Sequence, residues 1–197
     1  MQYNKYMDYK TLENFANSRK SKLIAFVWGL LEGLVFFIVP DVFLSFVALF
    51  AITGALWGLF WATIGSLVSA CIIFVMAPVF GGSYISILHS IPGISTTMIS
   101  KVEIAMQSGG VMSILAGPLS GIPYKIYTVI AVHEQVPFLQ YLFWSIPARL
   151  ERMLPVTLLA LLLGYIFRKS VKKFSSRWIL GLLICWILIY INYYRSL

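Results

Sequence analysis

Long apolar runs separated by short polar segments dominate the sequence. From Leu23 to Gly82 only Glu32 and Asp41 carry charge, and a second apolar region extends over residues 109–167. Because a transmembrane helix needs about 20 mostly apolar residues, runs of this length predict an all-α integral membrane protein. A basic, aromatic leader that is cytoplasmic or interfacial, 1–22, precedes a membrane domain, 23–167. In the first half, a hairpin (24–51) is followed by a span (52–80) and by an interfacial loop (81–108), which includes a short amphipathic helix from Thr96 to Gln107. In the second half, a hairpin (109–133) is followed by a span (137–167). A basic cytoplasmic loop (168–177) and a last span (178–197) complete the chain.

Proline interrupts the apolar pattern at two places. Val39-Pro40-Asp41 divides 24–51 into pieces that are too short to cross a membrane comfortably. The segment Gly117–Lys125 contains two glycines and two prolines, and proline removes a backbone donor and clashes with the preceding turn. Such breaks are tolerated at membrane depth where they are buried in protein or line a cavity. Both regions therefore predict re-entrant helical hairpins, with an ordinary loop between two spans as the alternative for the second.

The two halves of the chain match each other at an offset of 83 residues. Pro40 then aligns with Pro123, and Phe60-Trp61 aligns with Phe143-Trp144. Each half predicts one hairpin followed by one transmembrane helix. The leader and residues 168–177 each carry five Lys or Arg, whereas 81–108 has only Lys101, so the positive-inside rule places the N-terminus in the cytoplasm and the C-terminus outside. The two halves would then form an inverted repeat, whose substrate sites usually lie near the membrane midplane.

Composition supports a membrane protein and narrows the function classes. The chain is 60% hydrophobic and 11% charged, with a mean hydropathy of +0.87. Its net charge of +8 lies beside hydrophobic segments, so no nucleic-acid partner is predicted. The chain has no Walker loop, no metal-spaced Cys/His cluster and no hydrolase nucleophile motif. We therefore predict a protein that is not an enzyme and has no catalytic residues, metal or cofactor.

Charged residues within the apolar runs are the candidate functional groups. A charge at membrane depth costs about 2.5–3.5 kcal/mol on insertion scales. Buried carboxylates are the usual elements of proton relays, whereas arginine and lysine suit phosphate. The predicted proton-coupling residues are Glu32 and Asp41. The predicted substrate-binding residues are Lys125, Arg149, Arg152, Ser120, Tyr124, Gly117 and Gly121, and the hairpins break at Pro40, Pro118 and Pro123. The structural alternative is that the charges, including Glu151, neutralise one another as buried pairs.

The first hairpin resembles that of the DedA family of membrane proteins, also called the SNARE-associated or VTT-domain family. Glu32 and Asp41 keep the nine-residue spacing of that family's acidic pair, and Pro40 stands at the tip. Gly109-Gly110 and the segment 115–125 occupy the region of its second hairpin. The resemblance covers roughly residues 23–167.

The second hairpin departs from the family pattern in its basic residues. Gly117 stands about where the family has an arginine, and Lys125 lies a little beyond its second basic position. Arg149 and Arg152 of the next span are the candidates to supply the lost charge.

The resemblance implies lipid transport in a cell membrane. Bacterial members are associated with proton-coupled recycling of undecaprenyl phosphate, and eukaryotic relatives scramble phospholipids. We therefore expect a multi-pass transporter that flips or recycles undecaprenyl phosphate or a related anionic phospholipid, with membrane lipids and protons as partners. Two other functions stay open: a small-ion or metabolite secondary transporter, and a non-transporting membrane scaffold.

Overall fold

The computed structural model describes residues 8–80 and 83–195, and within these ranges every regular element is a helix. The predicted all-α class is therefore confirmed. The α-helices are α1 (Tyr9–Asn17), α2 (Arg19–Leu34), α3 (Asp41–Phe50), α4 (Ile52–Phe80), α5 (Ser83–His89), α6 (Thr96–Gly109), α7 (Gly117–Ser120), α8 (Tyr124–His133), α9 (Phe138–Ile166), α10 (Arg168–Lys173) and α11 (Ser175–Arg195), and a 3₁₀ helix (Gly110–Ala116) precedes α7.

Two of the described helices are long and apolar enough to cross a membrane. They are α4, over Ile52–Met76, and α11, and their most apolar windows have mean hydropathies of 2.2 and 1.5. The predicted span 137–167 coincides closely with α9. Both α9 and α4 contain 29 residues. Its middle carries Arg149, Glu151 and Arg152, and it does not reach the same apolar composition.

Both proline breaks lie immediately before a helix. Pro40 precedes α3, and Pro123 precedes α8 in an extended conformation. Proline is tolerated at such a place because the amide of a first helical turn has no acceptor within the helix. Both short helices contain ten residues, and each is followed by a 29-residue helix. The connection between α8 and α9 is three residues longer than the one between α3 and α4. The long helices therefore do not keep the predicted offset of 83 residues but exceed it by three.

Several segments that were predicted to be leader or loop are helical. Residues 9–17 form α1, and α2 already begins at Arg19 within the predicted leader, before residue 24. The predicted basic loop 168–177 contains α10 and the start of α11, which corrects that prediction. Arginine and lysine are good helix formers, and the fully buried Val171 anchors α10. Within the predicted interfacial loop 81–108, the short helix expected from Thr96 to Gln107 is confirmed as α6, whose first turn is capped by the Ser95 hydroxyl, and α5 is an additional helix.

The chain divides into two compact units, and α2, α4 and α9 each contribute residues to both. Unit 1 consists of 1–25, 40–61 and 153–197. In its described part, Ser45 accepts a hydrogen bond of 3.0 Å from the Trp186 indole, which ties α11 to α3. Gly164 packs against the backbone of Leu49 so closely that a Cβ would overlap it. Close packing of this kind fixes the C-terminal half of α9 against α3.

Unit 2 consists of 26–39 and 62–152, and its core forms around α8. Ile126, Ile130 and Tyr127 of α8 belong to a buried apolar cluster that also includes Val102 of α6 and Tyr141 of α9. The end of α2 packs tightly against α4. A Cβ on Gly29 would overlap the backbone of Ala62, and one on Gly33 would overlap the Ser69 side chain. Small residues let helices approach closely, and here they fix the turn of α2 that carries Glu32.

Candidate functional site

A buried ion pair between Glu32 and Arg149 lies at the centre of the candidate site. The Arg149 Nη2 atom donates to Glu32 Oε2 at 2.6 Å, and each side chain is only 2% exposed. Glu32 is in the last turn of α2, where the helix dipole disfavours a negative charge. Arg149, in the middle of α9, compensates that charge. Removing either partner of such a pair would leave an uncompensated buried charge.

Lys125 is the second buried cation of unit 2. Its ammonium group donates to the carbonyl oxygen of Phe36 at 2.9 Å, and the residue is 2% exposed. The Phe36 carbonyl lies in the segment that follows the end of α2, and Lys125 lies in the first turn of α8. The contact between Lys125 and the Phe36 carbonyl therefore joins the two helix breaks that the prolines predicted. No carboxylate lies within salt-bridge distance of Lys125 in the described ranges.

Three basic side chains act on the Glu32 carboxylate. The cations Arg149, Lys125 and Arg152 all interact electrostatically with the Glu32 carboxylate. Glu151 is exposed on α9, whereas Arg152 is half-buried. We call Glu32, Lys125, Arg149 and Arg152 the ion cluster. It contains three basic side chains and one carboxylate.

A narrow cavity adjoins the ion cluster. Its volume of about 10 Å³ is close to that of one water-sized sphere. Its walls include Arg149, Arg152, Tyr124 and Gly117. The guanidinium carbon of Arg149 lies 4.8 Å from the centre of the Tyr124 ring. The Arg149 Nε atom is buried and has no hydrogen-bond partner among the described residues, so an acceptor atom in this cavity would be favourable.

Hydroxyl groups extend the site along α8 and α9. The Tyr124 hydroxyl donates to Ser145 Oγ at 3.0 Å, and Thr128 shares a hydrogen bond of 2.7 Å with the Tyr141 hydroxyl. All four side chains are buried. Of these four residues, only Tyr124 was predicted from the sequence. Two of the others could have been recognised from their spacing in the sequence. Tyr141, Ser145 and Arg149 repeat every four residues and so share one face of α9.

The remaining predicted binding residues lie outside this cavity. Ser120 is exposed, and its hydroxyl donates to the backbone carbonyls of Ala116 at 2.9 Å and Gly117 at 3.1 Å. Gly121 is exposed and ends α7 in the left-handed conformation, with φ 70°. Pro118 belongs to the first turn of α7. These residues shape the backbone that brings Gly117 to the cavity.

Asp41 belongs to unit 1, whereas Glu32 belongs to unit 2. Asp41 is 2% exposed and lies in the first turn of α3, where the helix dipole stabilises a negative charge. The two predicted proton-coupling residues therefore occupy opposite electrostatic positions, at the start of one helix and at the end of another.

Residues 8–80 and 83–195 define an all-α protein with two membrane-length helices and a buried ion cluster. Comparisons with protein-family models, curated proteins and solved structures find no match for the chain. The resemblance to the DedA family stays a prediction from its motifs. Within the described part of the chain, no group of three His, Cys, Asp or Glu residues could hold a metal ion.

Proposed function

We propose that this chain is a multi-pass membrane protein that binds the phosphate group of an anionic lipid at the ion cluster and moves it across the membrane. The observation that carries the proposal is the buried Lys125 ammonium group beside the Glu32–Arg149 ion pair. Its hydrogen-bond partner is the Phe36 carbonyl, and no carboxylate of the described residues lies within salt-bridge distance of it. Charge at membrane depth is costly, and it is usually retained where it binds a substrate or an ion. A lipid phosphate would neutralise the Lys125 charge.

The chemistry of the ion cluster suits phosphate in particular. Arginine presents a planar set of donors that can hold two phosphate oxygens, and lysine adds a point charge. Arg149 has an unsatisfied Nε donor, and Arg152 lines the same cavity. The Tyr124 ring and the apolar wall of the cavity exclude water and strengthen these interactions. The cavity is narrow, so binding requires its walls to separate.

The proposed substrate is undecaprenyl phosphate or a related anionic phospholipid. Its apolar chain would stay in the bilayer while only the phosphate enters the polar path. The proposed architecture is an inverted repeat of two re-entrant hairpins, supported by the equal lengths of α3 and α8 and of α4 and α9. Sites between such repeats are typical of secondary transporters.

Glu32 provides the proposed coupling to protons. Its carboxylate and a lipid phosphate would compete for the Arg149 guanidinium, since both are anions that bind the same donors. Protonation of Glu32 would release Arg149 for the phosphate, and loss of the proton would favour release of the lipid. Asp41, buried at the start of α3 in unit 1, stays a predicted proton-coupling residue.

The binding step can be tested with the full chain in detergent and a short-chain polyprenyl phosphate. A ligand that binds only the folded state raises its apparent stability, so the melting temperature should rise with ligand concentration. Arg152→Gln should weaken binding about tenfold or more, as expected for a lost charged hydrogen bond. Arg177→Gln, which removes a cation of α11, should leave binding unchanged. Equal affinity for wild type and Arg152→Gln would contradict the proposal.

A non-transporting scaffold is the second candidate, and the 2.6 Å ion pair favours it. A scaffold needs the ion cluster only for folding. Replacing both partners by neutral residues, Glu32→Gln with Arg149→Met, should then preserve every property of the protein. Loss of lipid-phosphate binding in a double variant that folds and inserts normally would exclude the scaffold.

A further inference from the structure

Unit 1 contains a separate cavity at the junction of α1, α3, α4 and the end of α9. Its volume is about 220 Å³, which is below the roughly 300–1,000 Å³ of drug-sized ligand pockets and suits a small polar group. Glu13 of α1 and Arg168 of α10 both line it. These residues belong to the leader and to the basic segment 168–177, to which the proposed transport mechanism assigns no role.

The two charges in this cavity do not neutralise each other directly. No salt bridge joins Glu13 to Arg168 in residues 8–80 and 83–195. Opposite charges that line one cavity without forming a pair provide an acceptor for a cation and a donor for an anion in the same space. The matching ligand is therefore a small zwitterion.

Further polar groups lie on the same walls. The Tyr9 hydroxyl donates to the Phe50 carbonyl at 3.2 Å. Burial, together with the Glu13 charge, raises the pKa of the Tyr9 phenol against the opposing effect of the Arg168 guanidinium. Ile52 and Thr53 begin α4, and the amides of a first helical turn have no acceptor within their helix. These groups add hydrogen-bonding capacity beside the charged pair.

The apolar part of the wall indicates a lipid as the source of the zwitterion. Ile52 and Tyr165 line the cavity, yet they are 61% and 71% exposed. Exposed apolar side chains beside a polar cavity provide contacts for an acyl chain outside it. A free metabolite has no acyl chain that could contact these side chains.

We propose that this cavity binds the phosphoethanolamine headgroup of a phospholipid, with the ammonium group on Glu13 and the phosphate on Arg168. An ammonium group donates hydrogen bonds to a carboxylate, whereas the trimethylammonium of choline cannot. A headgroup without the amine would leave Glu13 unpaired. The site therefore selects phosphatidylethanolamine over phosphatidylcholine and phosphatidylglycerol, and it is independent of the phosphate site in unit 2.

The test uses the purified full chain in detergent, titrated with each of the three lipids and followed by native mass spectrometry. We expect phosphatidylethanolamine to bind at least tenfold more tightly than the other two. Glu13→Gln and Arg168→Gln should each weaken that binding about tenfold or more, since each removes a charged partner. Lys169→Gln, on α10 but outside the cavity, and Glu103→Gln on α6 should not change it. The exchanged variant, Glu13→Arg with Arg168→Glu, should recover binding relative to either single exchange.

Three results would overturn the proposal. They are equal binding of phosphatidylcholine, binding that is insensitive to both Glu13→Gln and Arg168→Gln, and free phosphoethanolamine binding as tightly as the lipid, which would identify a metabolite site instead. Arg152→Gln serves to separate the two sites. It should weaken polyprenyl phosphate binding and leave phosphatidylethanolamine binding unchanged, so either proposal can fail alone.

Discussion

At the scale of single residues, the buried pair of Glu32 and Arg149 is the central feature of the ion cluster. Arg149→Met would leave the Glu32 carboxylate buried without its closest partner, at a cost of about 3–5 kcal/mol in the free energy of unfolding. Glu32→Gln added to Arg149→Met should recover most of that loss. Glu151→Gln, an exposed carboxylate two residues away, should change stability by less than about 0.5 kcal/mol. Denaturant titration in mild detergent measures these differences, and equal stability of Arg149→Met and wild type would contradict the buried pair.

The four residues of the ion cluster could be predicted from the sequence, but their partners could not. Glu32, Lys125, Arg149 and Arg152 are recognisable because charge is rare in an apolar run. The contact of Lys125 with the Phe36 carbonyl could not, since a free carbonyl exists only after a helix has ended. The exposure of Ser120 also could not be predicted. A hydroxyl in a turn can donate its hydrogen bond to nearby backbone carbonyls and then needs no ligand.

At the scale of elements, close helix packing positions Glu32. Gly29→Ala would place a Cβ against the backbone of Ala62, which would force α2 away from α4 and destabilise the protein by about 1–3 kcal/mol. Gly181→Ala in α11 is the matched control. Its Cβ would meet no atom within 4 Å, and alanine favours a helix over glycine by about 1 kcal/mol. A melting temperature that falls equally in both variants would show that the close packing of α2 and α4 is unimportant.

Helix positions were more predictable than helix ends and polar segments. Proline marks the start of α3 and α8 because it fixes the backbone and lacks an amide donor. The span 52–80 coincides with α4 because it is a continuous apolar run between breaks. The helix α10 was predicted as a loop, since a short basic segment has no apolar periodicity and its helix is stabilised by burial of Val171.

At the scale of the whole molecule, the proposed topology can be tested with single cysteines. The background is a Cys71→Ser, Cys185→Ser variant, since both native cysteines are free. Cysteine at Ser170 of α10 should react with an impermeant thiol reagent only from the cytoplasmic side, and cysteine at Ser86 of α5 only from outside. Labelling of both positions from the same side would contradict an inverted repeat.

Transport of a lipid phosphate is the central claim, and headgroup exposure in liposomes measures it most directly. The full chain would be reconstituted with a labelled polyprenyl phosphate, with and without an imposed pH difference. We expect protein-dependent movement that the pH difference accelerates and that both Arg152→Gln and Glu32→Gln reduce, while the Arg177→Gln variant moves lipid at the wild-type rate. Equal rates with protein-containing and empty liposomes would contradict that claim.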